Sequence, residues 1–115
     1  MAAATATNVT VTVEKTVVEG KRKRSRCKIE FGNGSLEYGT TSGIPLPSYG
    51  QWGFVRFFEF LSLSDSVSTG ILWNYDQSNH RLQGFRTGAT GAALEQLTSA
   101  VTPAAQTLYG EAVGW

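Results

Sequence analysis

A chain of 115 residues has room for one domain with a sizeable core and is short for two. Its 41% hydrophobic and 17% charged residues exclude a disordered or collagen-like chain, and thirteen Gly, three Pro and many Thr, Ser and Val favour strands joined by turns. A net charge of +1 at pH 7 is far from the uniformly basic balance of a typical nucleic-acid domain.

The opening, "MAAATATNVTVTV", lacks the basic and apolar regions of a signal peptide, so the chain is expected to stay in the cytoplasm where it is made. Residues 1–7 read as a flexible N-terminal arm on a single domain spanning 1–115. No run approaches the roughly 20 apolar residues of a membrane span. The single cysteine, Cys27, cannot form an internal disulfide or build a zinc site alone.

From residue 8 to 18, Val9, Val11 and Val13 alternate with Thr10, Thr12 and Glu14, the period-2 pattern of a half-buried strand. Gly20 then marks a turn, and "GKRKRSRCK" follows with six basic residues out of nine. The alternation continues through it. Cys27, Ile29 and Phe31 share one face, while Arg22, Arg24, Arg26, Lys28 and Glu30 share the other. The run therefore reads as a strand with a basic outer face, and three roles stay open: a solvated or edge-protecting surface, a contact with an acidic protein surface, or nucleic-acid binding. With this run set aside, four basic residues remain against nine acidic ones.

Residues 32–51 form a long loop rich in Gly, Ser, Thr and Pro, with Leu36, Tyr38, Ile44, Leu46 and Tyr49 as apolar anchors. "WGFVRFFEFLSL" is apolar on both faces, as in a covered central strand or one whose outer face meets another subunit. Ile71, Trp73 and Tyr75 mark a hairpin strand, "DQSN" supplies its turn, and Arg81 to Arg86 return. His80, at the turn, has no second His or nearby Cys and is expected to be an exposed polar residue. "AALEQLTSAV" reads as one short helical turn, and "QTLYGEAVGW" as a closing strand.

No Ser-His-acid set, Glu-His helix pair or phosphate-cradling Gly loop is visible, so the chain reads as a non-enzyme without cofactor, metal or small-molecule substrate. The fold expected from these patterns is all-β, a single antiparallel β-sandwich with a long ordered loop and at most one short helical turn.

The order of these segments, with "SGIPL" ending at Leu46 and "WNYDQSNHRL" at 73–82, resembles the capsid decoration (cement) proteins of tailed bacteriophages, a family of small structural head proteins. That resemblance implies a jelly-roll-like sandwich in the virion, on the outer capsid surface, that bridges and stabilises subunits of the major capsid protein. Partner-facing residues would then be Arg22, Arg24, Arg26 and Lys28 of the basic strand with Tyr38, Ile44, Leu46 and Tyr49 of the loop. A homo-oligomer, a trimer before a dimer, would use Phe57, Glu59 and Trp115. The competing reading is a carbohydrate- or receptor-binding module of a head fibre or tail, for which Trp73 and Tyr75 would have to be exposed; a third is binding of nucleic acid through residues 21–28.

Overall fold

The computed structural model describes residues 4–5, 8–39, 43–65, 67–68, 70–87, 94–97 and 101–115. In these, nine strands form two antiparallel sheets: β1 (Thr10–Glu19), β2 (Arg22–Phe31), β3 (Ile44–Pro45), β4 (Phe58–Asp65), β5 (Val67–Ser68), β6 (Ile71–Asp76), β7 (Arg81–Thr87), β8 (Leu94–Gln96) and β9 (Gln106–Gly114). The first sheet has the order β1-β2-β9-β4. In the second, β5, β6 and β7 lie side by side, and the far edge of β7 is shared by β3 opposite Arg81–Leu82 and β8 opposite Phe85–Thr87. The expected all-β sandwich is the observed architecture.

The alternation read in the basic strand is realised in β2. Ser25, Cys27, Ile29 and Phe31 are buried against the second sheet, and Arg22, Arg24 and Arg26 are exposed on the opposite face. From β9, Leu108 and Ala112 join this core, opposite Ile71, Trp73 and Leu82 of the second sheet. Phe31 meets Trp73 edge to face at 4.8 Å, and Trp73 Nε1 donates to Gln106 Oε1 at 3.0 Å. One aromatic side chain thus ties β6 to both central strands of the other sheet. The hairpin is found where "DQSN" places it, between β6 and β7.

Three expectations are corrected. β2 lies between β1 and β9, so its charges do not protect an edge. The apolar strand expected at 52–61 begins only at Phe58; Tyr49–Trp52 is a 3-10 turn closed by Gly53 at φ +83°, and the backbone N–H groups of 55–57 turn away to Trp115. Within "AALEQLTSAV", Leu94–Gln96 is a strand on β7 and not a helical turn, because the open edge of β7 satisfies its backbone groups.

Most of the expected arm at 1–7 lies outside the described residues. Ala4, which is described, packs against the core and donates its N–H to the Glu37 carbonyl at 2.9 Å.

Candidate functional site

The outer face of the first sheet is built by register. Val17 of β1, Arg24 of β2, Val113 of β9 and Phe60 of β4 lie in one row. The next row runs Lys15, Arg26, Glu111 and Ser62. Lys28 and Tyr109 follow. Strand pairing therefore places the basic residues as a ladder on the outer face of the sheet.

That ladder is not purely basic. Arg24 lies between Glu19 at 3.7 Å and Glu111 at 3.8 Å, and Lys28 is 3.8 Å from Glu30. Arg22 reaches Glu59 Oε1 at 2.9 Å, and the other Glu59 oxygen is buried without a hydrogen bond. The acidic residues that offset the basic run in the total charge are thus partly gathered around it. Among the described residues no ion pair is formed by Arg26 or Lys15.

At the hairpin end, this face meets exposed apolar side chains. Glu19, Arg22, Lys23, Arg24, Phe60 and Val113 line a depression of about 230 Å³. Val17, on this face, is 40% exposed and Val18, on the opposite face of β1, 57% exposed, and Phe57 is 43% exposed. Lys23 Nζ lies 5.1 Å from the Trp115 ring centroid, within cation-π range. The Trp115 carbonyl oxygen accepts N–H groups from Val55 (2.9 Å), Arg56 and Phe57 (3.0 Å). Trp115 and the 55–57 loop are thereby fixed to one another.

The residues expected to meet a partner separate into two sets. Arg22, Arg24, Arg26, Lys28 and Tyr49 are on the surface or half-exposed. Tyr38, Ile44 and Leu46 are buried in the core, where no partner reaches them while the domain is folded. The Tyr38 hydroxyl accepts from the Gly84 N–H at 3.2 Å and from Gln96 Nε2 at 2.8 Å, which pins the loop to β7 and β8. Of the residues expected at an oligomer interface, Phe57 is exposed, Glu59 is held by Arg22 and Trp115 is half-buried against Lys23.

Trp73 is 1% exposed and its N–H is bonded internally, so it offers no flat face to a sugar; Tyr75 is half-buried. Tyr75 Oη lies 2.8 Å from His80 Nδ1, and His80 Nε2 lies 2.7 Å from the Pro47 carbonyl. His80 also packs on Phe58 at 4.5 Å and takes a left-handed backbone, φ +54°. This corrects the expectation of an exposed polar turn residue: His80 clamps the 46–47 segment to the hairpin, aided by the Leu46 N–H to its own carbonyl at 3.1 Å. The sequence signal was present in the apolar neighbours Leu46, Phe58 and Tyr75, which only the fold brings together.

Burial pushes the Cys27 thiol up to about 11, with nearby Glu14 adding to the rise and a backbone hydrogen bond at Ala112 opposing it. The thiol is therefore held protonated and is a poor nucleophile at neutral pH. Burial, reinforced by the charge of Asp76, pushes Tyr75 up to about 12. Among the described residues no group of three or more His, Cys, Asp or Glu is placed to hold a metal ion, and no helix is long and apolar enough to cross a membrane. No family model, curated protein or solved structure matches the chain.

Proposed function

We propose that this chain is a structural protein that acts by binding, a decoration or cement protein seated on the outer surface of a bacteriophage head shell and bridging subunits of the major capsid protein. The observation that carries the reading is the outer face of the first sheet. A four-stranded, open surface with a charged ladder and an apolar end suits a broad protein surface better than a small ligand, which needs a concave, largely enclosed site. Arg is the basic residue favoured at such interfaces, and three of the four basic residues on the ladder of β2 are Arg.

The alternating Glu side chains argue for a protein partner over nucleic acid. A phosphate backbone is uniformly negative and would be repelled by Glu19, Glu30 and Glu111 beside the basic residues. A capsid surface can instead answer both signs in register, which gives orientation as well as attraction. Repetition over a shell multiplies contacts that are individually weak.

The reading is tested by mixing the purified protein with head shells assembled from the major capsid protein of the same virus and pelleting them. Saturable co-sedimentation, with added shell stability to heat, is expected. Protein that stays in the supernatant at every ratio rejects the reading.

A further inference from the structure

We infer that β1 is a self-pairing edge, through which two copies of this chain join their first sheets antiparallel across a two-fold axis. Among the described residues no strand pairs with the outer side of β1, which leaves backbone donors and acceptors along ten residues. Such an edge is a template for another strand. The opposite edge of the same sheet, β4, is broken by irregularities between Phe58 and Phe60 and between Leu63 and Asp65. β1 has a single irregularity, between Val13 and Lys15.

That irregularity selects the partner. A two-fold axis perpendicular to a continuous sheet keeps inner faces inner, so residues that face each other across it must point to the same side. The bulge at Glu14 shifts the alternation: Val11, Val13, Thr16 and Val18 oppose inner-face residues of β2, whereas Thr10, Thr12, Lys15, Val17 and Glu19 oppose outer-face ones. Only one antiparallel register gives all ten residues a counterpart, and its four pairs outside the bulge satisfy this condition. Val11 faces the partner's Val18, Val13 the partner's Thr16, Thr12 the partner's Val17 and Thr10 the partner's Glu19. Without the bulge, every one of these pairs would place its two side chains on opposite faces.

At the axis, Glu14 faces the partner's Lys15 and Lys15 the partner's Glu14, so two opposite-charge contacts form by symmetry. The same pairing sets Val17 beside the partner's Thr12 and Val18 beside the partner's Val11, so two of the most exposed apolar side chains on the sheet gain cross-strand neighbours. The occupant is thus a second copy of this chain. The inference does not depend on binding to a shell, and it places self-association on β1 rather than on Phe57, Glu59 and Trp115.

The test is the mass in solution, by sedimentation or light scattering, of the wild-type chain and two single variants. At about 100 µM, enough to populate a dimer of micromolar Kd, the wild-type protein is expected at twice the 12.4 kDa of one chain. Glu14→Lys and Lys15→Glu each turn both axial contacts into like-charge pairs and are expected to weaken the dimer at least about tenfold. Mixed in equal amounts, the two variants restore opposite charges at both contacts, and the dimer returns. Both side chains are exposed, and unchanged circular dichroism and melting separate a lost interface from a lost fold. A wild-type monomer or trimer overturns the inference. So does a dimer indifferent to both variants, or a mixture that stays monomeric.

Discussion

Trp73 shows how much of the sandwich rests on single side chains. Its ring fills the space between the sheets, and its N–H has Gln106 Oε1 as acceptor. Gln106→Leu keeps volume but orphans that buried donor, and a loss of about 1–3 kcal/mol in unfolding free energy is expected from denaturant titration. Gly84 faces the same ring. A Cβ there would lie 2.8 Å from Leu97 and 2.9 Å from Trp73, so Gly84→Ala should cost about 1–3 kcal/mol by overpacking. Cys27 and Tyr75 set the alkaline limit. Both release their protons less readily in the folded chain, so the folded state holds more protons between the unfolded and folded values. The contribution of these two groups is therefore constant below about pH 9 and falls from 9 towards about 11 through Cys27, and from 10 towards about 12 through Tyr75. Thermal melts across that range check the sign: stability rising with pH above 9 would contradict it.

β2 is the element in which sequence and structure agree best, because alternation along a strand is a local property. The β6-β7 hairpin was legible for the same reason, its turn residues lying between two patterned runs. What could not be read was supplied from a distance. Arg24 takes Glu111 from β9, at the other end of the chain, so a segment that reads as basic becomes a ladder of mixed sign. Tyr38, Ile44 and Leu46 looked like loop anchors for a partner, but the loop folds inward and spends them on its own core. Leu94–Gln96 has helix-favouring residues and is held as a strand because the edge of β7 outweighs that weak preference. On this basis the triple change Arg24→Ser, Arg26→Ser and Lys28→Ser should leave the fold intact and lower the melting temperature by about 4–5 °C for each kcal/mol lost, since half-exposed pairs at 3.7–3.8 Å contribute about 0–1 kcal/mol each. Its effect on shell binding should be larger. Differential scanning calorimetry beside a binding isotherm separates the two; a collapse of the fold would assign the ladder to stability instead.

At the scale of the whole molecule, a net charge of +1 hides a sandwich whose two outer faces differ. One carries the ladder of β2 and ends in Val17, Phe60 and Phe57, and the other belongs to the shorter strands β3 and β5 to β8. On the proposed reading, the ladder face would meet the shell and the other face would point outward. Self-pairing through β1 would extend the first sheet without covering its outer face, so a dimer and a shell contact are compatible in space. If the chain binds a shell as proposed, the Glu side chains that temper the ladder should keep long-range attraction small, so the salt dependence of that binding should be shallow in the wild-type chain and shallower still in the triple variant. The most direct measurement is the co-sedimentation of the wild-type protein with purified head shells over a range of ratios. Saturation at a fixed number of copies per shell, weakened by the triple Ser change, is expected. Absence of the protein from the pellet at every ratio, or binding that the triple change leaves untouched, would contradict it.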